Sequence, residues 1–293
     1  LGDFMKEILK SVKMNFKLNS TVFILASVIY LFLLVIGFSL TLIIPFSDIL
    51  TVIFIIAPFI FTFSYLAYKS SEREILEYKD VYKGYKEVLV SFSYIFKRLV
   101  KPFFFSLLIG IGAYFVLGSL DLMIFDNEFS KEFTKLYISN DIEAMTNLIT
   151  QYPDTMNRFM ICIYITIGVM IIAFNLFANK KIMSYIFYLK VKKPFINYDF
   201  LIRINQNHYK YKTFWLDLLF ALSNIIGLVL AIVISELLLP LLENVSIVFL
   251  IAVFIYFFFV VIMMPFKYLV YSEIFTKSFT EELTKLKETY NNN

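Results

Sequence analysis

Apolar residues gather into six long blocks, 20–45, 48–68, 103–125, 157–178, 213–239 and 246–271, with very few charges inside them. Each block holds the roughly 20 residues that a helix needs to cross about 30 Å of hydrocarbon. The pattern predicts an all-α fold: a polytopic transmembrane helical bundle of six spans, forming a single transmembrane domain over residues 1–293. Spans one and two, and spans five and six, are joined by only a few residues, so each pair is expected to form an antiparallel hairpin.

The connections carry patterns of their own. Between spans two and three, Val81, Tyr85, Val88, Leu89, Phe92, Ile95, Phe96 and Leu99 recur at three- and four-residue steps, with Lys79, Lys83, Lys86, Glu87, Lys97 and Arg98 opposite. This predicts an amphipathic helix over 79–99 lying in the membrane interface, either as an elbow into span three or as a docking surface for a protein partner. The outer loop, 126–156, predicts a short helix capped by Asn140, bearing Ile142, Met145, Leu148, Ile149 and Tyr152, and closed by Pro153. Residues 272–293 read as a charged tail.

The two hairpins also resemble each other. Asp48–Ile56 aligns with Glu243–Ile251, acid on acid and Phe54 on Phe249, and Phe63–Tyr68 aligns with Phe266–Tyr271. A parallel internal duplication is one reading; chance matching of apolar segments is the other.

Charge gives the orientation. Of the 27 Lys and Arg, all but Lys131, Lys135 and Arg158 fall on the side of the N-terminus. Positive segments translocate poorly, so both termini and the 180–212 connection are expected in the cytoplasm. The location expected is the bacterial cytoplasmic membrane, multi-pass. The basic inner face should attract anionic lipid headgroups, at about 1 kcal/mol per residue near the surface. Topology accounts for this basicity, and no nucleic-acid partner is expected.

Composition agrees: 60% of residues are hydrophobic and mean hydropathy is +0.76, above a soluble domain. The abundance of Phe, Ile, Lys, Asn and Tyr fits an A/T-rich bacterial genome. Leu1–Phe4 reads back as a ribosome-binding sequence ahead of Met5, which is the expected start. Cys162 is the only cysteine, so no internal disulfide forms.

Catalytic groupings are missing from the sequence. His208 is the single histidine, which leaves no His pair or His/Cys cluster for a metal, and no cofactor is expected. Gly110 lies in an apolar span with Ser106 and Ala113 on its face, a sign of close helix packing. Ionisable groups inside a membrane are costly, so each is a functional candidate. Asp217, near Trp215 and Lys212, is the strongest; it either pairs with a basic residue at the inner interface or holds a proton or cation. Asp121, Glu236 and Arg158 lie near outer span ends, and Arg158 is placed to pair with either acid. Asn175, Ser223 and Asn224 are candidates for inter-helix hydrogen bonds, each worth around 0.6–2 kcal/mol.

Tyr65-Leu66-Ala67-Tyr68-Lys69, then Asp80-Val81-Tyr82-Lys83-Gly84-Tyr85-Lys86, and a last span ending in Tyr268-Leu269-Val270-Tyr271 give the chain a recognisable layout. It resembles an uncharacterised family of six-span bacterial integral membrane proteins similar to the membrane domain of some glycerophosphodiester phosphodiesterases. The likeness covers most of the chain in layout, and Asp80–Lys86 is its distinctive stretch. The phosphodiesterase catalytic domain is absent, so the resemblance implies a helical bundle and no activity. The expected role is non-catalytic: binding lipid or another membrane component, including protection against a membrane-active peptide. The alternative is the permease subunit of an ATP-driven exporter or another transporter.

Overall fold

A computed structural model of the chain describes residues 2–41, 44, 47–119, 131–132, 135–136, 138–139, 142–191, 198–242 and 244–291. These residues are all-α. The helices are α1 (Gly2–Thr41), α2 (Ser47–Thr51), α3 (Ala57–Ser71), α4 (Lys83–Lys86), α5 (Val88–Ser119), α6 (Ile142–Gln151), α7 (Pro153–Val191), α8 (Tyr198–Leu242) and α9 (Val245–Asn291). Six helical stretches are long and apolar enough to cross a membrane: Met5–Leu40, Ile49–Ser71, Leu99–Leu117, Met160–Ala178, Thr213–Leu242 and Ile247–Lys277. Each overlaps one of the apolar blocks, the first beginning at Met5, within the N-terminal arm. Six crossings would place both termini on the same side.

The described residues form two compact units, 1–100 with 175–293, and 101–174. In the first, α9 packs against α8, α1 and α3. Its core joins Phe23, Tyr30 and Leu34 of α1 to Phe59 and Phe63 of α3 and to Leu269 of α9, all buried. Phe63 meets the Tyr268 ring at 6.4 Å and Ser71 meets Ser272 at 2.5 Å, so the two matching motifs lie level with one another. The packing is nevertheless not two-fold. A duplicated pair of hairpins would set α8 against α3 as α9 sits against α1, whereas among the described residues α8 packs mainly on α9 and shares only an apolar cluster with α3, at Tyr68, Leu216 and Phe220.

Helices run on where the sequence suggested polar connections. The 180–212 connection is helical up to Val191 and again from Tyr198, and the tail continues α9 to Asn291. Lys, Glu and Asn have only modest helix penalties, so they do not stop a helix already nucleated by an apolar span. The N-terminal arm is likewise the first half of α1. Asn19 alone leaves helical geometry there (φ −117°, ψ 17°), marking a kink between a lysine-bearing half and an apolar half.

The expected interfacial helix over 79–99 is broken instead. A 3-10 helix, Tyr78–Tyr82, leads into α4, and α5 starts afresh at Val88 and runs into span three. Leu89 and Phe96 of the apolar stripe are 79% and 60% exposed, as side chains facing lipid are, while Asp80 at the start of the stretch is buried. The stretch folded back against α3 because Gly84 and Thr62 let its backbone come close there.

In the second unit, a Cβ on Gly110 would fall on the Met170 side chain, so this glycine permits α5 and α7 to approach closely. Ser106 is buried but returns its hydroxyl to its own helix, at the Phe103 carbonyl (2.8 Å). The outer-loop helix forms as α6 with Leu148 buried, and Pro153 begins α7. Its expected cap, Asn140, lies outside the described residues.

Candidate functional site

Two polar clusters are built into the first unit. One joins three helices through the residue expected to matter most. Asp217, Phe220 and Asn224 share a face of α8 at spacings of three and seven, and Lys267 and Tyr271 share a face of α9 at a spacing of four. Asp217 is 1% exposed and accepts the Tyr271 hydroxyl. About two turns along α8, Asn175 of α7 accepts hydrogen bonds from Asn224 Nδ2 and Lys267 Nζ, each at 3.3 Å. The Lys267 ammonium also stands 5.9 Å over the Phe220 ring, and Asp217 acts on it through space.

Asp217 therefore sits in the field of a lysine, but not the one its neighbourhood suggested. Trp215 is exposed, and the Lys212 side chain lies outside the described residues. Lys267, counted in the sequence among the charges of the termini side, is 8% exposed inside the first unit. Opposite charges and amides placed together offset the large cost of burying any one of them. Asn175 and Asn224 meet as inter-helix partners. Ser223 does not: its hydroxyl returns to the Phe220 carbonyl of its own helix (2.8 Å).

None of the contacts described for this cluster involves Glu236. Glu236 and Arg158 are exposed, each in a different unit, and Asp121 lies outside the described residues. Cys162 is buried. Among the described residues no three His, Cys, Asp or Glu side chains come together as a metal site.

The second cluster was not anticipated. At the kink, Asn19 donates to Ser70 Oγ (2.9 Å) and to the Glu74 carbonyl (3.2 Å), and accepts the Leu76 amide (2.9 Å). One amide thus ties the end of α3 and the turn after it to the middle of α1. Nearby, Glu273 of α9 accepts Ser11 Oγ (2.9 Å) and the Asn15 amide, and Lys277 pairs with Glu7. The chain then doubles back along α3. Asp80 bonds Lys69 (3.0 Å) and the Glu77 amide (2.9 Å), completing a reciprocal cap with Glu77. Farther along, the Gly84 amide donates to Thr62 Oγ1 (3.0 Å), which also meets the Tyr30 hydroxyl (2.9 Å).

From Lys69 to Thr62 is seven residues, so this elbow returns about 10 Å along the span. Its outer surface stays charged. A hydrogen bond to Glu87 holds the Lys83 ammonium above the ordinary lysine range, with burial opposing it, and burial raises the Tyr85 phenol. Two signals could have exposed this cluster: Asn19 stands where the lysines of α1 stop and the apolar run starts, and Asp80 opens the stretch that carries the family resemblance.

No protein-family model, curated protein or solved structure matches this chain. The function must be argued from these clusters.

Proposed function

We propose that this is a non-catalytic, multi-pass protein of the bacterial cytoplasmic membrane that binds an anionic membrane component at its cytoplasmic face. One observation carries the reading: a basic helical half of α1, exposed through Lys6, Lys10, Lys13 and Lys17, joins its apolar half at the Asn19 kink. Such a helix presents charge to headgroups while its continuation anchors it in lipid. The buried polar groups support the reading by serving one another. Asp217, Lys267, Asn175 and Asn224 brace three helices and offer no obvious work to a reaction. Sequestering a membrane component in this way would also protect against a membrane-active peptide that targets it. The resemblance of Asp80–Lys86 to phosphodiesterase-linked membrane domains fits an anchoring elbow and brings no hydrolysis with it.

A second reading, the permease subunit of an ATP-driven exporter, draws on the elbow. Tyr78, Lys79, Tyr82 and Lys86 are exposed on a short element fixed to α3 by Thr62, so a motor subunit pressing there would move the span directly. Purification of the full chain in mild detergent separates the two readings. Co-purified anionic lipid without a protein partner is expected; recovery of a stoichiometric ATP-hydrolysing subunit would overturn the lipid reading.

A further inference from the structure

The lysines of α1 recur at steps of four, three and four from Lys6 to Lys17, which places all four on one face, and all four are exposed. The row ends at a groove. Between α1 and the turn that follows α3 lies a cavity of about 530 Å³, open to one side, walled by Leu18, Thr21 and Val22 and by Leu76 and Tyr78. Lys17 immediately precedes Leu18, the first residue of the groove's wall, so the basic row ends beside the groove. Lys79 stands at the opposite lip, where its ammonium bonds Glu77 at 2.5 Å and remains 68% exposed. An ammonium has three donors, so two remain for another anion.

We propose that this groove seats one anionic phospholipid, with its phosphate held between Lys17 and Lys79 and its acyl chains lying over Leu18 and Ile75. Three features favour that occupant. Ile75, Tyr78 and Leu18 are 73%, 64% and 53% exposed, a large apolar display beside a charged rim, which acyl chains would cover. The kink sits where α1 changes from lysine-bearing to apolar, the level of a headgroup. Asn19, which lines the cavity, already spends its amide on Ser70, Glu74 and Leu76, so it does not compete for the phosphate.

This rests on the lipid-binding reading above, and the test separates the two. The full chain is placed in nanodiscs of phosphatidylcholine with about one-fifth phosphatidylglycerol, and the lipids that leave with the protein are counted by native mass spectrometry. The wild type should carry phosphatidylglycerol in preference. Lys17→Gln and Lys79→Gln, both at exposed positions, should each lower that enrichment about five-fold, the effect of one basic contact near a charged surface. Thr21→Trp, which fills the groove from an exposed position, should abolish it. Lys86→Gln, exposed on the elbow and away from the groove, should leave it unchanged. An equal loss in Lys86→Gln would indicate diffuse surface charge; that overturns the groove and leaves lipid binding standing. Displacement of the bound lipid by millimolar inorganic phosphate would make the occupant a soluble anion and overturn the proposal. A wild type without any lipid preference would overturn both readings.

Discussion

Replacing Gly84 with Ala should loosen the elbow from its span. An added Cβ would fall on the Pro58 carbonyl oxygen and lie 2.7 Å from both the carbonyl carbon and Cα of Pro58. These are backbone atoms in the first turn of α3, so no rotamer change relieves the clash. Overpacking of this kind costs about 1–3 kcal/mol. Shifting the elbow away would also stretch the 3.0 Å Gly84–Thr62 hydrogen bond, worth roughly 0.5–1.5 kcal/mol. Together the loss is about 1.5–4.5 kcal/mol, beyond the roughly 0.5–1 kcal/mol that Ala gains over Gly inside a helix. The fraction of monodisperse protein surviving a heating series in mild detergent measures it, with Gly112→Ala as the control. A Cβ at Gly112 meets nothing within 4 Å, so that variant should match or slightly exceed wild type. Equal survival of Gly84→Ala and wild type would refute the close approach of the elbow to Pro58.

Other expectations follow from the same contacts. Lys267→Met or Asp217→Asn alone should destabilise by about 3 kcal/mol, and the double variant by less than either, because one change strands a buried charge that the second removes; additive losses in melting would argue against coupling. Asn19→Ala should cost about 2–3 kcal/mol and expose residues 72–79 to protease, since the Leu76 amide loses its acceptor; unchanged cleavage there would count against the tie between α1 and the turn after α3. In a Cys162→Ser background, a cysteine at Lys86 should react with an impermeant maleimide only after cells are opened, and one at Asn157 in intact cells. The reverse pattern would invert the orientation.

The spans were legible because hydrocarbon thickness imposes a length that composition alone reveals, and the blocks at 213–239 and 246–271 needed little else. Asp217, Asn175 and Asn224 could be nominated one at a time, since each is conspicuous in an apolar run. Their assembly with Lys267 and Tyr271 could not, because helix faces meet according to packing that local pattern does not encode. Lys267 was counted only with the basic residues of the termini side, although it falls inside the 246–271 block; its burial against α7 and α8 shows only once the helices are packed. The stretch from Val81 to Leu99 differs in another way: its periodicity is real, but the docking of Gly84 against Pro58 and Thr62 accompanies a break into separate helices where the pattern predicts one.

The second span contains a stretch, Val52–Ile56, wound as a π-helix, where the Ala57 amide reaches back five residues to the Val52 carbonyl just ahead of Pro58. Such a turn accommodates one residue more than an α-helix of the same rise. The span therefore stores a spare position: removing one residue there would tighten the coil without displacing Pro58 or the elbow docked on it, whereas the same deletion below Pro58 would rotate Thr62 and Lys69 off their partners. Length variation among descendants of this sequence should be tolerated on the far side of that proline and purged on the near side.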